Sequence, residues 1–224
     1  MKARPRIGFA TIGQAPRSDT VPAIVAELGM SVDVVEAGAL DGLDDAAIAQ
    51  LGARPGEYQF ATRLADGRQV VVGKGAAEAR LAAVLEHLDG QGLDMIVALC
   101  AGARLPTLQR TLLIEPQRII DGLTGALAAN VKSLGIVVPL QRQVALFHLE
   151  AEVTAKVCVT HASPYEGDRF AQAGAELAGC DLVVMHCVGY NALMQRTVAA
   201  ASGAPTLTAP RILAGVIKQL LPGQ

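Results

Sequence analysis

The chain has 224 residues, of which 51% are hydrophobic and 18% charged, with a formal net charge of −2 and no Trp. This length can bury one substantial core or two small lobes sharing a cleft. A near-neutral charge without a basic stripe argues against a nucleic-acid partner, and the apolar runs are too short and too interrupted to cross a membrane.

The predicted elements alternate strand and helix from the start. Ile7–Ile12 is a short apolar run closed by Gly13 and Pro16, which reads as a buried strand and a turn. The basic Met1–Arg6 segment leads straight into it with no apolar signal region. A cytoplasmic location follows by default, with the four cysteines as free thiols. Ser18–Leu28 reads as a helix and Val32–Glu36 as a strand. Asp44 is placed to cap a helix over Asp45–Leu51. Tyr58–Leu64 and Gln69–Val72 flank Asp66-Gly67, a hairpin signal. Gly75–Leu88 follows as a helix and Met95–Leu99 as a strand ending at Cys100.

The alternation then resumes. Leu134–Val138, Lys156–Thr160 and Leu182–His186 read as strands, the last ending at Cys187. Gln141–Glu152, Arg169–Leu177 and Asn191–Ala201 read as helices. Pro205–Leu207 is a last short strand and Pro210–Leu221 a last helix.

The main result is an internal repeat. Gly92-Leu93-Asp94-Met95-Ile96-Val97-Ala98-Leu99-Cys100-Ala101-Gly102 aligns without a gap on Gly179-Cys180-Asp181-Leu182-Val183-Val184-Met185-His186-Cys187-Val188-Gly189, and Ile7-Gly8-Phe9 resembles Leu134-Gly135-Ile136. From Gly8 to Cys100 is 92 residues and from Gly135 to Cys187 is 52, so the first copy carries an insertion around the hairpin. The expected fold is α/β, with two pseudo-symmetric lobes, parallel sheets and an active site in the cleft between them. Residues 1–115 plus 205–224 form the first lobe, with the hairpin insertion near 57–72, and 116–204 the second.

Each repeat cysteine falls just past the carboxyl end of a strand, where open α/β sheets bind ligands. Two thiols facing one substrate suit inversion of a carbon acid: one thiolate takes the proton α to a carboxylate and the other thiol protonates the opposite face. Because a free thiol is mostly protonated at neutral pH, the site has to lower one pKa. Cys100 and Cys187 are therefore the predicted catalytic pair, while Cys158 and Cys180 read as buried filler.

These cysteines resemble those of the aspartate/glutamate racemase superfamily. The segments Thr11-Ile12-Gly13-Gln14-Ala15-Pro16-Arg17-Ser18-Asp19, Glu36-Ala37-Gly38-Ala39-Leu40-Asp41-Gly42-Leu43, Leu113-Ile114-Glu115-Pro116-Gln117-Arg118-Ile119 and Val184-Met185-His186-Cys187-Val188-Gly189-Tyr190 resemble the AroM family. The superfamily resemblance implies cofactor-free chemistry on a small carboxylate: a racemase, epimerase or isomerase using two cysteines. A one-cysteine decarboxylase or cis–trans isomerase is the alternative within the enzymes, and a non-catalytic small-molecule binding or regulatory protein the alternative outside them. Glutamate racemases follow their first cysteine with Asn-Thr and their second with Thr-His. Here Ala101-Gly102 and Val188-Gly189 stand in those places.

Arg17 and Arg211 each follow a strand and open a helix, a setting for carboxylate binding. Thr11, Gln14, Arg17, Arg104, Thr107, Tyr190 and Asn191 are the predicted substrate-binding residues. A Cys187–His186 dyad is not expected, because neighbours in a strand point to opposite faces. The Gly73-Lys74-Gly75 segment lacks a full nucleotide fingerprint, and no metal-ligand spacing is present, so neither a cofactor nor a metal is expected. The partner is a small carboxylate, and a homodimer is the one assembly allowed for.

Overall fold

The computed structural model describes residues 4–149 and 152–221. Its elements are β1 (Arg6–Thr11), α1 (Val21–Leu28), β2 (Asp33–Gly38), α2 (Asp45–Ala49), β3 (Gln59–Arg63), β4 (Gln69–Gly73), α3 (Lys74–Asp89), β5 (Met95–Leu99) and β6 (Leu112–Ile114). There follow α4 (Pro116–Ala128), β7 (Ser133–Val138), α5 (Gln141–Val144), β8 (Lys156–His161), α6 (Phe170–Glu176), β9 (Leu182–Met185), α7 (Ala192–Ser202), β10 (Thr206–Thr208) and α8 (Ala209–Leu220). They divide into two compact units, one running to Pro116 and resuming at Ala214, the other Gln117–Leu213.

Each unit is built on a four-stranded parallel sheet. The first has the order β2-β1-β5-β6 and the second β8-β7-β9-β10. The orders coincide when β7, β8, β9 and β10 are set against β1, β2, β5 and β6, so the duplication read from eleven residues extends to the whole sheet. In both units the inner strands are buried almost end to end, as strands covered on both faces must be.

The repeated residues have matching structural jobs. The Asp94 carboxylate accepts the Arg6 N–H at 2.7 Å, and the Asp181 carboxylate accepts the Ser133 N–H at 2.9 Å. Each thus latches the start of the adjoining strand to the start of β5 or β9. Gly8 and Gly135 leave room for the packing above them. A Cβ on Gly8 would sit 2.7 Å from the Leu93 side chain, and one on Gly135 would sit 3.0 Å from Leu177.

The insertion is α2 with the β3–β4 hairpin. Asp44 caps α2 as expected, its carboxylate accepting the Ala47 N–H at 2.8 Å. The hairpin is antiparallel, Gln59 opposite Gly73 through Arg63 opposite Gln69, and turns at Gly67 with φ +97°. That left-handed conformation is the one glycine adopts without penalty. An aliphatic cluster containing Leu40, Phe60, Val72, Leu81 and Ile96 fills the first unit, and one containing Val137, Phe170, Val183 and Tyr190 the second.

The structure differs from the sequence expectation at four places. Strand β10 pairs with β9, Thr206 opposite Val183, so residues 205–213 belong to the second unit and not the first. A three-residue strand has no period to read, and its partner is fixed by register. Strand β6 and helix α4 have no counterpart among the elements the sequence pattern predicts. The helix expected over Gln141–Glu152 spans only Gln141–Val144; residues 145–149 are non-helical, and 150 and 151 lie outside the described residues. Strand β9 stops at Met185, so His186 and Cys187 both lie beyond it.

Candidate functional site

In the first unit, Thr11 ends β1 beside Leu99 of β5, and Cys100 follows directly. Cys100 is only 5% exposed, and its thiol lies 3.8 Å from the Ala101 carbonyl oxygen among aliphatic side chains that include Ala10 and Ile12. The chain then bends through Gly102, whose φ of +105° is a conformation that favours glycine.

Around Thr11 the sequence TIGQAPRSD folds into a tight knot. Arg17 is buried, with Nε and Nη2 donating to the two oxygens of Asp19 at 2.8 and 2.7 Å, and Nη1 donating to the Thr11 hydroxyl at 2.9 Å. The Arg17 N–H also donates to the Glu36 carboxylate at 2.6 Å. Burial alone would raise the Asp19 pKa, but the Arg17 hydrogen bond and charge outweigh it and hold the carboxyl below its ordinary value.

Gln14 clamps this knot to the insertion. Its amide Nε2 donates to the Leu40 carbonyl at 3.3 Å, and its Oε1 accepts the Ala65 N–H at 3.0 Å. Asp41 closes the other side, accepting the Ala15 N–H at 2.8 Å and the Gly38 N–H at 2.7 Å. There is no room for side chains here: a Cβ on Gly13 would lie 2.3 Å from the Arg63 carbonyl oxygen, and one on Gly38 would lie 2.5 Å from the Gly13 oxygen. Thr11, Gln14 and Arg17 are thus all engaged inside their own unit. Arg104 and Thr107, on the loop after Cys100, are exposed, and the Arg104 N–H donates to Glu78 at 2.6 Å.

In the second unit Cys187 is half-buried, and its sulfur accepts the Gly189 N–H at 3.4 Å. The Cys-Val-Gly turn is covered by Tyr165: a Cβ on Gly189 would fall 2.5 Å from the Tyr165 hydroxyl. Tyr190 is buried, donates its hydroxyl to the Ala162 carbonyl at 2.8 Å and packs edge-on against Phe170. Burial first, then the neighbouring Cys187 and Tyr165, hold its pKa well above 10, so it is a neutral phenol. Asn191 caps α7, its side-chain oxygen accepting the Leu193 and Met194 N–H groups at 3.0 Å each. Arg211 is exposed and reaches Gln195 at 3.4 Å.

Three residues outside the predicted set, His186, Asp121 and Tyr165, stand around the Cys187 turn. His186 is buried, with Nε2 2.9 Å from the Asp121 carboxylate and Phe147 edge-on to its ring at 5.1 Å. Asp121 comes from α4, an element without a sequence assignment, so its pairing with a histidine 65 positions away carried no local signal. Tyr165 had a signal: Ser163-Pro164-Tyr165 follows β8, at the same sheet edge as Cys187. Among the described residues, no group of three or more His, Cys, Asp and Glu is placed to hold a metal ion, and no helix is long and apolar enough to cross a membrane.

Two parallel sheets of identical order, each with a cysteine past the end of an inner strand, define the racemase-like α/β fold, and solved structures share it. An unliganded arylmalonate decarboxylase is 15% identical with a TM-score of 0.55, over 98% of this chain and 94% of that one. A maleate cis–trans isomerase of Nocardia farcinica, carrying a covalently bound succinylcysteine intermediate, is 14% identical with a TM-score of 0.57, over 97% and 93%. The glutamate racemase of Aquifex pyrophilus is 17% identical with a TM-score of 0.55, over 97% and 84%. No curated protein sequence matches. The family model described as AroM protein matches residues 7–221, and the chain belongs to the AroM family.

Proposed function

We propose that the protein is a cofactor-independent racemase, epimerase or isomerase of a small carboxylate, with Cys100 and Cys187 as its two proton-transfer groups. The observation that carries this reading is their equivalence: each thiol follows an inner strand of a duplicated sheet, six residues after the Asp that latches that strand. Ligands of parallel sheets bind beyond those strand ends. One thiolate takes the proton α to the carboxylate, and the other thiol gives its proton to the opposite face. The enzyme is left with the two protonation states exchanged. The substrate-facing side chains in this reading are Arg104 and Thr107, while Thr11, Gln14, Arg17, Tyr190 and Asn191 hold the strand ends in place. A screen of amino, hydroxy and dicarboxylic acids in deuterated water tests it: the reading requires enzyme-dependent deuterium at the carbon next to a carboxylate.

A second reading rests on the contrast between the thiols. Cys187 has the Gly189 N–H directed at its sulfur, whereas the Cys100 sulfur faces the Ala101 carbonyl oxygen. One-cysteine chemistry at Cys187, as a decarboxylase or a covalent cis–trans isomerase, fits that contrast. It predicts that only Cys187→Ala abolishes turnover.

A further inference from the structure

The other two cysteines, Cys158 and Cys180, are both partly exposed and both belong to the second unit. Cys158 lies in β8 opposite Gly135 of β7, and Gly135 lies opposite Val183 of β9. Residues in register on parallel strands point to one face, so these three form a row across the sheet. Gly135 puts no side chain into that row, and a Cβ there would meet Leu177 at 3.0 Å and Val183 at 3.1 Å. The row therefore faces the end of α6. From there the chain turns through Gly179, at φ +87°, to Cys180, whose N–H donates to the Leu177 carbonyl at 3.0 Å. Both cysteines pack against the apolar cluster that contains Leu177 and Val183.

The missing side chain at Gly135 lets the thiol of an edge strand approach the loop before β9, so that the two thiols lie close enough to interact. Burial, then the Cys158 thiol beside it, raises the Cys180 pKa, while the nearby Lys156 cation opposes the rise. Lys156 lies two residues before Cys158 on the same face of β8.

We propose that Cys158 and Cys180 are a reversible modification site, a dithiol that a low-molecular-weight disulfide such as oxidised glutathione converts to an intramolecular disulfide. The Cys158 thiolate attacks one sulfur of the oxidant, forming a mixed disulfide and expelling one glutathione thiolate, which takes up a proton. Cys180, as thiolate, then attacks the Cys158 sulfur and expels the second glutathione thiolate, which takes up the Cys180 proton. The protein loses two protons and two electrons, and one disulfide is reduced to two thiols. Cys180 precedes β9 and Cys187 follows it, so this site is a strand's length from the proposed catalytic thiol and does not rest on the proposed reaction.

The test uses the full chain, reduced, then exposed to oxidised glutathione, with remaining thiols blocked by N-ethylmaleimide and peptides identified by mass spectrometry. The expected product is a peptide pair joined through Cys158 and Cys180, two hydrogens lighter than the reduced pair and restored by dithiothreitol. It also forms in a Cys100→Ala/Cys187→Ala chain, which keeps the result separate from the catalytic reading. In Cys180→Ser the glutathione stays on Cys158 as a mixed disulfide. The proposal is overturned if both cysteines carry separate glutathiones, if either is cross-linked to another position, or if both are blocked by maleimide under conditions that oxidise a free dithiol.

Discussion

Replacing Asp19 with Ala removes the carboxylate from a guanidinium that is 2% exposed. Both fork bonds are lost, at 2.8 and 2.7 Å, while the bonds to the Thr11 and Thr20 hydroxyls stay. Stranding one member of a buried ion pair costs about 3–5 kcal/mol. Asp19 is itself 21% exposed, so water can enter the space it leaves, and the low end, about 3 kcal/mol, is the expected loss. With a urea dependence of about 3 kcal/mol per molar for a chain of this size, the midpoint should fall by about 1 M. Urea unfolding followed by circular dichroism measures this directly. The double variant Arg17→Met/Asp19→Ala removes the buried charge as well and should regain much of the loss, since apolar replacement of buried pairs is often close to neutral. A fall of less than about 0.3 M in Asp19→Ala would mean that Arg17 is hydrated and available to a ligand, and the structural role given to it here would be wrong.

The remaining predictions concern the acid limb and the Cys187 turn. Asp19, Asp89 and Asp181 all have pKa values below the ordinary 3.8. Burial would raise Asp89, but the N–H groups of Gln109, Arg110 and Thr111 outweigh it; for Asp181 the Ser133 N–H is the main cause. Carboxyls depressed by folding add stability that is fully present above 3.8 and lost as pH falls through their lower folded values. Unfolding monitored against pH should therefore show an acid transition below 3.8, shifted upward in Asp181→Asn. Tyr190→Phe leaves the Ala162 carbonyl without its buried donor and should cost about 1–3 kcal/mol in denaturant titration. Asn191→Ala removes the cap of α7 and should cost about 1 kcal/mol in the same assay. Gly189→Ala places a Cβ 2.5 Å from the Tyr165 hydroxyl. It should change the rate at which iodoacetamide alkylates Cys187; an unchanged rate would show that the turn does not control that thiol.

The repeat carried most of the fold. One Asp-to-Cys segment, seen twice, marks β5 and β9, and the matched glycines mark β1 and β7 as corresponding strands; that β1 lies beside β5 and β7 beside β9 is shown by the structure. Parallel strands buried on both faces leave unbroken apolar runs, and those runs are what the sequence displays most clearly. Short edge elements are different. Strand β6 has three residues, with Leu112 52% exposed, so it shows neither a long run nor an alternation. Strand β9 ends at Met185, one residue before the expected end, so the opposite-face rule does not reach His186, which pairs with an aspartate from α4 and not with Cys187 in any bond described. Arg17 illustrates a further limit. An arginine opening a helix after a strand looks the same in sequence whether it awaits a carboxylate or already holds Asp19, two residues on.

If Cys100 and Cys187 exchange a substrate proton between them, each single variant must fail at that exchange. For any small carboxylate that the wild-type enzyme labels in deuterated water, Cys100→Ala and Cys187→Ala should each lose net turnover by at least about a hundredfold, the lower range expected for removing a proton-transfer group. Deuterium uptake at wild-type rates in both variants would contradict the account.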